Sequence, residues 1–124
     1  MKKLILVGIT FFIFPLTVFA TNLSLDQINQ KVCDRFEENV VKLAAIMDEV
    51  RRRKGITQTR VAFGGVDTPI KSADYQITFV AEALAYQRVQ KYSNQNNLRY
   101  SLEVLKNKIL TAKSYTQKAT DYAR

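Results

Sequence analysis

One long stretch decides the fold: residues 23–54 read LSLDQINQKVCDRFEENVVKLAAIMDEVRRRK. Apolar side chains recur along it at spacings of three and four, which is the periodicity of a single α-helical face. This stripe consists of Leu25, Ile28, Val32, Phe36, Val40, Leu43, Met47 and Val50. The stretch therefore predicts a first helix over about 25–54.

Signals at both ends of this stretch support the same helix. Ser24 and Gln27 have the spacing of a capping box, in which each side chain bonds to the backbone of the other residue. The basic run Arg51–Lys54 places positive charge at the negative end of the helix dipole. Gly55 suits the left-handed residue that commonly follows a helix.

Beyond this helix, glycine and proline are confined to a predicted loop, 55–68, and to Pro69 directly after it. Thr68 and Pro69 are typical of an N-cap and a first helical residue, and they predict a second helix over about 69–92. Its apolar stripe consists of Ile70, Ala73, Ile77, Val80, Ala81 and Leu84. A third helix is predicted over about 97–122, with a stripe of Leu98, Leu102, Leu105, Ile109, Ala112 and Ala119.

The second and third helices could also be continuous, because their apolar positions keep the same heptad phase. A continuous helix would place Arg88, Lys91 and Gln95 in its apolar seam, which is costly without partners. The Asn-rich segment 93–97 favours a turn instead. The fold class is therefore all-α, either a three-helix up-down-up bundle or a long helical hairpin with coiled-coil-like packing.

The first 20 residues have the pattern of a cleaved signal peptide. Lys2 and Lys3 precede an apolar run, and the segment ends at Ala20 with Val18 two positions earlier. Removing it lowers the net charge from +8 to +6 and leaves 21–124 as a single small helical domain. We expect an exported protein, periplasmic or extracellular, and the short Lys-Lys segment is typical of bacteria.

Composition excludes much of the common enzyme chemistry. The chain has no His and one Cys, so the usual general base is missing, as are the usual ligands of zinc and haem. No nucleophile elbow, phosphate-binding loop or dinucleotide motif is present. We therefore expect a non-enzymatic protein with no catalytic residue, no cofactor, no metal and no small-molecule substrate.

The single cysteine, Cys33, lies beside the first apolar stripe. It can be interpreted as a small buried hydrophobic residue. It could also form an intermolecular disulfide between two first helices in an oxidising compartment, or act as a reactive thiol. These interpretations stay open at the level of sequence.

The second helix carries a second apolar side. Tyr75, Phe79, Tyr86 and Val89 lie about 160° around the helix from Ile77 and Leu84. A helix with two apolar sides is either packed between two others or bound to a further partner. Tyr75, Phe79 and Tyr86 are accordingly the candidate partner-binding residues, for self-association or for another protein.

Basic residues of the third helix form an alternative candidate site. Lys106, Lys108, Lys113 and Lys118 could bind an anionic envelope polymer or a membrane surface. Basic and aromatic residues together can also bind nucleic acid, but an exported protein seldom meets it. The chain resembles the periplasmic holdase chaperones only in its general features, which are a signal peptide followed by a small basic helical domain. This resemblance implies a protein–protein interaction, scaffold or chaperone-like role.

Overall fold

The computed structural model of the chain describes residues 23–55 and 68–124. In these residues the chain forms three α-helices and no strand: α1 (Leu25–Arg53), α2 (Pro69–Arg88) and α3 (Gln95–Tyr122). Each helix packs against both of the others, which confirms the all-helical, three-helix prediction. The predicted signal peptide and most of the predicted loop 55–68 lie outside the described residues.

Contacts at both ends of the bundle define the direction of each helix. Asn29, near the start of α1, bonds to the backbone of Gln87 near the end of α2 at 3.0 Å. Arg51, near the end of α1, pairs with Asp74 near the start of α2 at 2.6 Å. The ammonium of Lys54 lies 4.6 Å from the ring centroid of Tyr122 at the end of α3. Helices α1 and α3 therefore run in the same direction and α2 runs antiparallel to both, which is an up-down-up arrangement.

The start and end of α1 follow from local sequence, as predicted. Ser24 Oγ accepts a bond from the Gln27 backbone N–H at 3.1 Å, and Gln27 Oε1 accepts one from the Ser24 N–H at 2.9 Å. Gly55 adopts a φ of 73° directly after the C-cap, a conformation that glycine enters without a Cβ penalty. Near this end of the helix, hydrogen bonds from the guanidinium groups of Arg52 and Arg53 lower the pKa of Glu49 to about 2.

Helix α2 begins at its predicted Thr68 cap, where Thr68 Oγ1 accepts from the Lys71 N–H at 3.2 Å. It ends at Arg88 rather than at the predicted Tyr92. Asn29 Nδ2 donates to the carbonyl of Gln87 at 3.0 Å, and Gln30 Nε2 donates to the carbonyl of Arg88 at 2.7 Å. The Gln87 carbonyl also accepts from the Gln90 N–H at 3.1 Å, so the helix ends in a tight turn and the α1 side chains supply further bonds to its last two carbonyls.

A turn separates α2 from α3, so the two helices are not continuous. Helix α3 begins at Gln95, two residues before the predicted start. Asn94 Oδ1 accepts from the backbone N–H groups of Asn96 at 2.7 Å and Asn97 at 3.2 Å, which makes Asn94 the N-cap. The Asn-rich segment therefore acts partly as a cap and partly as the first helical turn.

The core lies along the axis where the three stripes meet. Most of the predicted stripe residues are buried, although Leu25 is half-buried and Ala81 is exposed. Burial of one large aliphatic side chain stabilises the fold by about 1.5–3 kcal/mol relative to exposure. Polar residues also enter this core, namely Asn29, Asn39, Arg51, Gln87, Thr116 and Thr120.

Candidate interaction surface

The second apolar side of α2 lies on the outside of the bundle. Tyr75, Phe79 and Tyr86 expose 67%, 42% and 68% of their surface, respectively. Helices α1 and α3 pack on the opposite stripe, which contains Ile77 and Leu84. Within the described part of the chain, α2 is therefore not a central helix with both apolar sides covered.

Two further residues extend this surface. Val89, which follows α2, is 68% exposed, and Tyr100 of α3 is 72% exposed. We call the five residues Tyr75, Phe79, Tyr86, Val89 and Tyr100 the aromatic face. Sequence periodicity did not identify Tyr100, since it lies off the α3 stripe. The one available signal was the position of all six tyrosines within residues 75–122.

Contacts between side chains order part of the aromatic face. The rings of Tyr75 and Phe79 are stacked, with centroids 6.5 Å apart and an interplanar angle of 12°. The ammonium of Lys108, on α3, lies 5.2 Å from the centroid of the Phe79 ring. Cation–π attraction of this kind favours a fixed position for both groups. The face therefore combines exposed aromatic rings with one positive charge.

A groove between α2 and α3 runs beside the aromatic face. Its volume is about 290 Å³. Two rings of the aromatic face stand at its walls, and Lys108 contributes a cation to its lining. The lining residues are Ala83, Tyr86, Gln87, Tyr100, Ser101, Val104, Leu105 and Lys108. This combination of apolar walls and one cation suits a side chain that is aromatic or apolar, with an acidic group nearby.

The four candidate lysines of α3 do not share one face. Lys106 and Lys113 are seven residues apart and lie on the same side of the helix, whereas Lys108 points toward Phe79 of α2. Lys118 is exposed, with its ammonium 5.1 Å from the centroid of the Tyr115 ring. Lys108 and Lys118 are each engaged with an aromatic ring, and the positive charge of α3 is spread around the helix.

A buried polar cluster joins the start of α1 to the end of α2. Besides donating to the Gln87 carbonyl, Asn29 accepts from Gln87 Nε2 at 2.9 Å. Gln87 Nε2 also donates to the hydroxyl of Tyr92 at 3.1 Å. No buried side-chain polar atom in the described ranges lacks a hydrogen-bond partner. We call these residues the buried polar cluster; its members are Asn29, Cys33, Gln87 and Tyr92. A buried network whose polar atoms are all hydrogen-bonded favours one packing of the helices over others.

The thiol of Cys33 belongs to this cluster and is fully buried. Its Sγ donates to Asn29 Oδ1 at 3.7 Å. Burial raises the pKa of the thiol to about 11, against the lowering effect of the nearby Arg88 charge. This environment fits the buried-hydrophobe interpretation. An intermolecular disulfide would require the sulfur to leave the core.

We expect Cys33 to react slowly with a thiol reagent in the folded protein. A thiol of pKa about 11 is ionised about 100-fold less at pH 8 than one near 9, and only the thiolate attacks. The rate measured with a chromogenic disulfide should therefore rise by at least about 100-fold when the protein is unfolded in urea. Equal rates in the folded and unfolded protein would contradict the burial of this thiol.

A second cross-helix contact lies at the other end of α1. Arg51 Nη1 donates to both carboxylate oxygens of Asp74, at 2.6 and 2.7 Å, and Nη2 donates to Asp48 at 2.5 Å. The Arg51 side chain is only 9% exposed. Burial alone would lower the pKa of its guanidinium, but the bonds to the two carboxylates raise it above its ordinary value. The arrangement anchors the end of α1 to the start of α2.

The acidic residues of α1 serve a related structural purpose. Arg88 of α2 pairs with Asp34 at 2.9 Å and with Glu37, and it donates to Gln30 Oε1 at 3.1 Å. Lys91 pairs with Asp26 at 3.3 Å. These ion pairs join acidic residues of α1 to Arg88, the last residue of α2, and to Lys91 in the turn that follows. In the described residues, no group of three or more His, Cys, Asp or Glu side chains is placed to hold a metal ion.

Comparison with known proteins gave no match to a family model, a curated protein or a solved structure. Among residues 23–55 and 68–124, none of the helices is both long and apolar enough to cross a membrane.

Proposed function

We propose that the chain is an exported, non-enzymatic module that acts by binding protein through its aromatic face. The observation that carries this proposal is the exposure of Tyr75, Phe79, Tyr86, Val89 and Tyr100 beside a core that is complete without them. Single exposed apolar residues are ordinary, but a group of large ones on one side of a small domain is typical of an interface.

The chemistry of the surface supports a protein partner. Tyrosine and phenylalanine are enriched at protein interfaces because each buries a large apolar area and loses little conformational entropy. The groove beside Tyr86 and Tyr100 adds concave shape, and Lys108 adds a charge that can orient a partner. The buried ion pair and the buried polar cluster hold α2 in place, so the surface is preorganised for binding.

The test is site-specific photo-crosslinking in cells that produce the protein. A photoreactive residue at position 86, in the aromatic face, should give protein adducts of discrete mass. The same residue at position 45, which is exposed on α1 away from the aromatic face, serves as the matched control. Adducts at both positions alike, or at neither, would contradict the proposal.

The alternative function is binding of an anionic polymer or membrane through α3. The positions of Lys106, Lys108 and Lys113 argue for the protein-binding proposal, since charge spread around a helix gives no concentrated positive patch. Sedimentation of the purified protein with phosphatidylglycerol vesicles tests this. Binding that falls steeply between low and moderate salt would favour the alternative.

A further inference from the structure

We infer that the occupant of the aromatic face is a second copy of this chain, bound through antiparallel packing of the two α2 helices. This inference rests on the proposed function and names its partner. It is carried by the spacing of the residues along α2 and by the position of two opposite charges.

The outer side of α2 has the pattern of a coiled-coil seam. Tyr75, Phe79, Glu82, Tyr86 and Val89 follow one another at spacings of four, three, four and three. Four of the five are large exposed apolar residues, and Glu82, also exposed, occupies the middle. A seam of this kind is complementary to a seam on another helix. A second copy supplies one without any further partner.

The central glutamate selects the direction of packing. In a parallel pair, Glu82 would face Glu82 of the second copy, and two like charges would oppose each other across the seam. In an antiparallel pair, Tyr75 can face Tyr86 of the second copy while Phe79 faces Glu82. The two carboxylates are then separated, and the aromatic rings at the ends of the seam meet.

The position of Lys108 selects the register. Its ammonium lies 5.2 Å from the Phe79 centroid, so a Glu82 that faces Phe79 across the interface also meets this cation. A register shifted by one heptad would place Glu82 against Tyr86 and leave Lys108 without an acidic partner. The two-fold symmetry of the pair repeats the contact between Glu82 and Lys108, as expected for an isologous interface.

The size of the surface is adequate for a reversible dimer. A helix of 20 residues is about 30 Å long. Two neighbouring helices, each about 10 Å across, form a strip about 20 Å wide, so α2 and the adjoining part of α3 offer about 600 Å² per copy and about 1,200 Å² for the pair. This total lies at the lower end of specific interfaces. The groove lined by Tyr86 and Tyr100 can receive Tyr75 of the second copy.

The experiment is sedimentation equilibrium of the purified protein over concentrations from about 1 μM to about 1 mM, a range that covers weak and moderate affinities. We expect a monomer–dimer equilibrium in reducing buffer. Glu82→Lys and Lys108→Glu should each raise the dissociation constant roughly tenfold or more, because each places like charges in contact twice. The double variant restores opposite charges and should recover wild-type affinity to within about threefold.

Circular dichroism verifies that each variant folds, which is expected because Glu82 is exposed and Lys108 is partly exposed. Lys42→Glu, an exposed charge reversal on α1, is the matched control and should leave the dissociation constant unchanged. A monomer at every concentration, or a double variant as weak as the single ones, overturns the inference. If the protein is monomeric while position 86 gives adducts with another protein in cells, the dimer is overturned and the proposed function stands.

Discussion

Replacing Asp74 by Ala is expected to lower the free energy of unfolding by about 3 kcal/mol. The substitution removes two hydrogen bonds of 2.6 and 2.7 Å from a guanidinium that is almost fully buried. Removing one partner of a buried ion pair typically costs about 3–5 kcal/mol, because the remaining charge is left uncompensated. Asp48 retains its bond to Arg51, so we expect the lower end of that range. Urea denaturation monitored by circular dichroism measures the loss.

Two further variants separate the charge effect from simple loss of contact. Asp48→Ala removes the other, 72% exposed, carboxylate and should cost less than about 1 kcal/mol. The double variant Arg51→Met/Asp74→Leu removes both charges of the cross-helix pair, and its stability should lie within about 1–2 kcal/mol of wild type. A loss for Asp74→Ala no larger than that for Asp48→Ala would show that Arg51 is not buried as described.

Replacing Asn29 by Asp is expected to lower the free energy of unfolding at neutral pH by about 3 kcal/mol, although the two side chains have nearly the same shape. The new carboxylate loses the N–H that donates to the Gln87 carbonyl at 3.0 Å, and it places a negative charge against that oxygen. The Gln87 carbonyl keeps its bond from the Gln90 N–H at 3.1 Å, so most of the cost comes from the negative charge. Residue 29 is only 2% exposed, so water cannot solvate that charge.

The loss in the free energy of unfolding caused by Asn29→Asp should increase as the pH rises. Burial and the facing carbonyl raise the pKa of the introduced carboxyl above its ordinary value of about 4. The penalty is therefore smallest below the ordinary pKa, where the group is neutral in both states, and it grows as the pH rises through the folded-state pKa. Urea denaturation at pH 3 and pH 7 tests this. Asn107→Asp, which is exposed on α3, is the control and should change stability by less than about 0.5 kcal/mol.

Local sequence was sufficient for the elements whose boundaries depend on nearby residues. The capping box of Ser24 and Gln27, the Thr68 cap and the left-handed Gly55 all involve residues within three positions of the helix end. The end of α2 was predicted four residues too late. Its last two carbonyls accept bonds from side chains 58 residues earlier in the sequence, and no local pattern reports such a contact.

The candidate site was likewise predicted only where local sequence was sufficient. Periodicity identified Tyr75, Phe79 and Tyr86 as a second apolar side, but it could not say whether another helix covers them. That distinction depends on the three-dimensional packing of α1 and α3. Arg51 was interpreted as part of a basic run at a helix end. Its role became visible only with Asp74, which lies 23 residues later and beyond the loop.

The two contacts between α1 and α2 have a consequence for the way the protein opens. Helices ordinarily fray from their ends, at little cost to the rest of the fold. Helix α2 is held near its start by Arg51 and at its end by Asn29 and Gln30, all of which belong to α1. Unwinding of α2 from its C-terminal end, or past Asp74 from its N-terminal end, therefore breaks contacts with α1. We therefore expect the amide protons between Asp74 and Arg88 to exchange mainly through cooperative opening of the bundle, so that the outer surface of this helix keeps its shape until α1 and α2 separate.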